Sequence, residues 1–172
     1  MDPNDAGVLL LRLVIGLTFA AHGAQKAFGW WGGPGWDRWQ AAMNGMGFRP
    51  AGLFATVSIG AELVGGLCLA LGLLTPLAAA VLTAHSIVII LKVHAPNGFW
   101  NRSQGIEYPL VLGASAVAIE LTGPGLVSLD AAAGFALSPA IRVILLLVGV
   151  AGGLLTVALA ESSDRTAVSR RP

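Results

Sequence analysis

Apolar residues in this chain fall in long, nearly unbroken blocks instead of recurring at the period of a strand or an amphipathic helix. Crossing the hydrocarbon core of a bilayer takes roughly 20 such residues. Five blocks approach that length, over residues 7–28, 51–74, 77–93, 107–121 and 141–160. Soluble helices would carry a polar face at helical spacing, and these blocks carry none. The pattern predicts an all-α integral membrane bundle, one transmembrane domain over residues 1–160 with a disordered, polar cytoplasmic tail over 161–172. Thr75-Pro76 marks a tight break, with proline placed where a new helix can begin. Gly123-Pro124-Gly125 ends the fourth block.

The two longer connections, residues 29–50 and 94–106, hold all five tryptophans: Trp30, Trp31, Trp36, Trp39 and Trp100. Tryptophan favours the headgroup level, where its ring is buried and its N–H stays wet. With the first four blocks all spanning, both loops lie on one membrane face and the aromatic belt is one-sided, with Asp37 to Met46 as a short helix lying in the interface. Basic residues point the same way. Lys26, Arg38, Arg49, Lys92, Arg102, Arg165, Arg170 and Arg171 flank these two loops or occupy the tail, whereas the N-terminus, the Thr75-Pro76 turn and residues 122–140 hold none. Five spans with the N-terminus outside place every basic loop in the cytoplasm, as the positive-inside rule requires.

Composition narrows the function classes. Hydrophobic residues make up 55% of the 172 and charged residues 11%, against about 25% charged in a soluble domain. A net charge of +1 without a basic stripe excludes nucleic acid as a partner. Cys68 is the only cysteine, which excludes a CxxC redox pair and an intramolecular disulfide. The acidic start, Met1-Asp-Pro-Asn-Asp, lacks the positive region of a signal peptide, so the first block is expected in the mature protein.

Each ionisable residue within a block costs about 2.5–3.5 kcal/mol to insert and so needs a partner or a purpose. Arg12, Gly16, Phe19, Gly23 and Lys26 follow a 4-3-4-3 spacing and form one stripe, which must face the bundle interior. His22 and Lys26, four apart, share a helix face. At about 1.5 Å per residue, His22 lies about 10 Å deep, His85 about 13 Å and Glu62 about 16 Å. Three helices therefore bring His22, Glu62 and His85 into one band, with Lys26, Lys92 and Glu107 at its cytoplasmic mouth. Arg12 and Glu120, at similar depths near the outer face, are expected to form a structural ion pair.

The central band admits two readings. Glu62, His22 and His85 can act as interhelical hydrogen-bond glue. Alternatively Glu62, His22, Lys26 and His85 are the catalytic candidates, with Glu62 as acid or base and a histidine donating to a quinone carbonyl. His22, Lys26, Glu62 and Glu107 are then the candidates for holding the cofactor. Two imidazoles and a carboxylate also suit a metal, but no short ligand spacing supports one, and no metal is expected. Gly149-x-x-x-Gly153 is a close-packing motif that serves within a chain or between chains, so a homo-oligomer is compatible with it.

These residues together resemble the DoxX family of small bacterial membrane proteins (DoxX/DoxD-like). The matching pieces are Arg12-x3-Gly16, His22-Gly-Ala-Gln-Lys26-x-Phe28-Gly29 and Gly32-Gly33-x-Gly35. Next come Glu62-Leu-x-Gly65-Gly66 through Thr75-Pro76, then Asn97-Gly98-Phe99-Trp100 and Gly105-x-Glu107-Tyr108-Pro109. Last comes Leu121-Thr-Gly-Pro-Gly125-x3-Leu129-Asp130. The resemblance implies a four-helix core in a bacterial inner membrane, to which the fifth block is an addition. It also implies a relation to the membrane subunit of a thiosulfate:quinone oxidoreductase and to membrane partners of redox-defence proteins. The expected function is a membrane subunit of a redox system, touching quinone or anchoring a soluble or membrane oxidoreductase. A non-enzymatic scaffold subunit or a small-solute permease is the alternative, so the chain is expected to be an enzyme on one reading and not on the other.

The loop charges make a topological prediction. A reporter fused at the C-terminus should be active in the cytoplasm and a tag at the N-terminus should be accessible from outside. Both ends reporting from one side would contradict five spans.

Overall fold

The computed structural model describes residues 2–169, all of whose regular elements are helical. Helix α1 spans Pro3–Phe28, α2 Gly35–Gly45, α3 Ala51–Leu71, α4 Thr75–Ile89, α5 Glu107–Thr122, α6 Leu129–Ala132 and α7 Pro139–Ser169. A π-helical turn, Ile90–His94, and a short 3-10 turn extend α4 to Asn97. Four helices are long and apolar enough to cross a membrane: Pro3–Phe28, Ala51–Leu71, Thr75–Asn97 and Pro139–Ser163. With its 16 residues α5 is shorter, about 24 Å at 1.5 Å per residue. It nevertheless packs against α1, α4 and α7 within the same bundle.

Local chemistry fixes the helix ends. Asp2 accepts a hydrogen bond from the Asp5 N–H at 2.9 Å, with Pro3 opening the first turn of α1. Gly29 and Gly72 close α1 and α3 at φ 72° and 65°, left-handed conformations that glycine adopts without a Cβ penalty. The helix expected at Asp37–Met46 is α2, which lies across α1 and α3. Residues 161–169 continue α7 as helix, so most of the expected disordered tail is the last part of a long helix; residues 170–172 lie outside the described residues.

The core is thin and small-residued, as a bundle without a hydrophobic driving force between helices demands. Ile15, Phe19, Leu69, Leu82, Leu112 and Ile119 form its largest cluster. Leu10, Val14, Leu17, Val57, Val64, Ile144, Leu147 and Leu155 point outward and are more than half exposed, a surface suited to lipid. Backbones approach closely where glycine permits it. A Cβ on Gly16 would sit 2.5 Å from the Ala70 nitrogen, and one on Gly66 2.6 Å from the Gly16 carbonyl oxygen. Gly149 and Gly153 stand likewise against the Ala80 and Ala84 carbonyls of α4. The Gly149-x-x-x-Gly153 motif is therefore used inside this chain, to dock α7 on α4.

The connection between α5 and α7 folds over one end of the bundle and is pinned by three charged side chains. Arg12, 1% exposed, donates to the carbonyl of Pro124 at 2.7 Å and to that of Val127. Asp130 accepts from the N–H groups of Leu74 at 2.7 Å and Thr75 at 2.8 Å. Asp5 accepts from the N–H of Leu126 at 2.8 Å. The Arg12–Glu120 ion pair expected from depth does not form. Depth along a helix says nothing of azimuth, and the returning loop offers Arg12 carbonyls that the helices alone would not. Glu120 is fully buried, and neither carboxylate oxygen has a hydrogen-bond partner. Arg142 donates to the Glu120 backbone carbonyl at 3.5 Å, not to its carboxylate.

The α1–α3 contact generates a prediction for stability. Gly16→Val should lower unfolding stability by several kcal/mol, since β- and γ-carbons must enter backbone-filled space. Gly60→Ala, whose added Cβ meets nothing within 4 Å, should leave stability unchanged or slightly raised. Thermal unfolding of both variants in detergent checks the pair, and equal midpoints would refute the contact.

Candidate functional site

The site is assembled by α1, α3 and α4, with α2 and the first turn of α5 closing it. Gly23 sets the distance between α1 and α3, because a Cβ there would lie 2.5 Å from the Leu63 nitrogen. One turn on, Lys26 reaches across and its ammonium donates to Glu62 Oε1 at 2.6 Å. Glu62 is 2% exposed, in the interior of α3. From α4, His85 Nε2 lies 3.0 Å from the same carboxylate oxygen, close enough for an ion pair yet off the line of a hydrogen bond. The second oxygen, Oε2, is buried with no hydrogen-bond partner. On its open side the Lys26 ammonium sits 4.2 Å from the centre of the Trp39 ring, a cation–π contact from α2.

A buried carboxylate between two cationic or protonatable groups is costly to take apart, because removing one partner leaves a charge stranded in a low dielectric. Here the carboxylate is stranded only in part. Two of its neighbours share one oxygen, and the other oxygen is free to accept from something else.

His22 joins the site less directly than the sequence suggests. Its ring lies 3.2 Å from the Tyr108 hydroxyl through Nε2 and 3.2 Å from Gln25 Oε1 through Nδ1, with the His22 and Tyr108 rings edge to face. It faces the Glu62 cluster across a cavity of about 240 Å³, lined also by Phe19, Lys26, Trp39 and Tyr108. Glu107 does not reach this cavity. It turns back over its own loop and accepts the Asn101 N–H at 2.8 Å, so it shapes the 98–107 connection and is not a ligand candidate. Of the sequence candidates, Lys26, Glu62 and His85 meet directly, His22 shares their cavity, and Glu107, Arg12 and Glu120 stand apart.

Sequence reasoning passed over Tyr108, Trp39 and His94. Tyr108 follows Glu107 in the Glu-Tyr-Pro motif, so the signal was present but attached to the neighbouring charge. Trp39 read as an interfacial belt residue, and its inward turn needs the tertiary position of α2. His94, on the π-helical turn, also lines the cavity and lies 2.6 Å from the Gln104 carbonyl through Nδ1. Among the described residues, no group of three or more histidine, cysteine or acidic side chains is arranged to hold a metal ion.

Comparison with known proteins now adds a family. The DoxX profile matches residues 7–95, which carry Arg12, His22, Lys26, Glu62 and His85. The chain belongs to the DoxX family. An uncharacterized protein of Haemophilus influenzae is 29% identical over 132 residues, covering 74% of this chain and 83% of the relative. No solved structure matches. In this DoxX protein the matched segment ends just after α4, so α5 and α7 pack onto a matched α1–α4 unit that already contains the charged cluster.

The cluster predicts a non-additive mutational cycle. Lys26→Met should destabilise the protein by about 3–5 kcal/mol, the range for stranding one partner of a buried pair, and Glu62→Leu should also destabilise. The double variant should recover a large part of the loss, measured by unfolding in mixed micelles. Strictly additive losses would mean that the two charges do not support one another.

Proposed function

We propose that this DoxX protein is the membrane subunit of a redox system and binds a quinone in the cavity above the Lys26–Glu62 pair. The observation that carries this reading is the cavity's make-up. Its walls are mainly apolar and aromatic, and Lys26, His22, Glu62 and Tyr108 line it together. Small-molecule sites have this composition, an apolar body of wall with a few placed polar groups. Lysine is a donor at neutral pH, tyrosine carries an O–H, and histidine donates from one ring nitrogen. Such groups suit a ligand that offers carbonyl oxygens.

Reduction of a quinone to a quinol takes up two electrons and two protons. The groups of this chain address the protons. Glu62, which lines the cavity, can hand a proton into it, and Lys26 can stabilise charge developing on a quinone oxygen. The electrons must come from a partner oxidoreductase, soluble or membrane-bound, docked on the face that carries the aromatic loops. We further place the chain in the bacterial inner membrane with five crossings, α5 included, and with that face in the cytoplasm. The reading is supported by Lys26, Lys92 and Arg102, which flank or lie in the two tryptophan-bearing connections.

A short-chain quinone should raise the thermal midpoint of the purified protein and quench the fluorescence of Trp39. Glu62→Gln keeps the shape and should bind quinone yet abolish turnover in the assay of the partner system, whereas Tyr108→Phe should weaken binding roughly tenfold by loss of one hydrogen bond. An unchanged midpoint at saturating quinone, together with silent Glu62→Gln, would return the cluster to a purely structural role.

A further inference from the structure

A second cavity, of about 270 Å³, lies on the far side of the Glu62–His85 contact, between α2, α3, α4 and α7. Its walls follow α4 from Val81 to Lys92, about 16 Å at 1.5 Å per residue. Deep in the bundle the lining is mainly aliphatic, broken by Ser58, His85 and Thr156, and Val57 and Val81 on that wall are 58% and 39% exposed. The cavity therefore opens sideways to lipid rather than to water. At the other end, where α2 lies over the helix ends, stands Lys92, half-buried and without an ion pair among the described residues. On α2, in the wall that the two cavities share, the Trp39 indole N–H is buried with no acceptor, and the Ser58 hydroxyl, 6% exposed, is also unpartnered. Buried polar groups of native proteins are nearly always satisfied, so a donor left open on a cavity wall marks a place for an acceptor.

The arrangement has a polarity. A cation and a donor-only indole stand at the interface end, and apolar walls lead from there toward the middle of the bilayer. That is the orientation of a lipid chain, with its oxygens at the interface and its hydrocarbon inward. At about 30 Å³ for a group the size of water, the volume holds roughly nine groups of that size, so about half of one long chain lies inside and the rest leaves through the opening beside Val57 and Val81. We infer that this cavity binds a single-chain anionic amphiphile, a long-chain fatty acid, with its carboxylate at Lys92 and Trp39 and its chain along α4. The site is separate from the quinone cavity, although Trp39, Ile89 and Val93 form part of both walls.

Equilibrium binding of radiolabelled oleate to the full-length protein in detergent tests this, with methyl oleate and dioleoyl phosphatidylglycerol as competitors. One saturable site per chain is expected, with methyl oleate competing about tenfold more weakly because it lacks the charge that Lys92 attracts. Lys92→Gln should remove that preference while leaving methyl oleate binding in place. Ala84→Phe, filling the cavity, should abolish both; Val57→Trp at the mouth serves the same end should Ala84→Phe not fold. Glu62→Gln should bind oleate as the natural protein does, which keeps this result independent of the quinone reading. Non-saturable uptake, equal competition by the methyl ester, an unaffected Lys92→Gln, or stronger competition by the two-chain phospholipid would each overturn the assignment.

Discussion

Glu62 is a carboxylate in the middle of an apolar helix, and the rest of the structure is arranged around the cost of placing it there. A lone ionised group at that depth would cost several kcal/mol, and a low-dielectric interior rewards only partners held at close range. Lys26 reaches it at 2.6 Å because α1 and α3 touch backbone to backbone through Gly16, Gly23 and Gly66. Close helix packing and the buried ion pair are thus one constraint seen twice. Leucine at any of the three glycines would push α1 away and leave both charges without company.

The opposite end of the bundle solves a different problem with the same means. There Arg12 and Asp130 are spent on backbone groups, and they hold the α5–α7 connection over the helix ends. Gly72 is essential to that arrangement, since a Cβ on it would overlap the Arg12 guanidinium. One end of the protein is therefore locked by charge-to-backbone hydrogen bonds. The other keeps side chain against side chain, with two cavities between them.

Much of this was legible in the residues. The length of the apolar blocks gave the helices, and the 4-3-4-3 stripe gave the buried face of α1, since Arg12, Gly16, Phe19 and Gly23 are all buried. Depth counting put His22, Glu62 and His85 in one band with Lys26 at its mouth; in the structure it is Lys26 and His85 that lie against Glu62, while His22 stands across the cavity. The same counting misled at Arg12 and Glu120. Equal depth is necessary for contact but not sufficient, and a loop with free carbonyls competes for a guanidinium. Tyr108 and Trp39 escaped notice because their roles depend on how α2 and the 98–107 loop fold back, which no periodicity records.

Whether the Glu62 cluster handles protons for a bound quinone, or merely ties three helices together, can be read from the carboxylate itself. The direct measurement is infrared difference spectroscopy of the protein with isotope-labelled glutamate, recorded on reducing a bound short-chain quinone. The account predicts a carboxyl band that changes on reduction and is absent from Glu62→Gln. A spectrum in which quinone is bound and reduced while the Glu62 band stays fixed would contradict it.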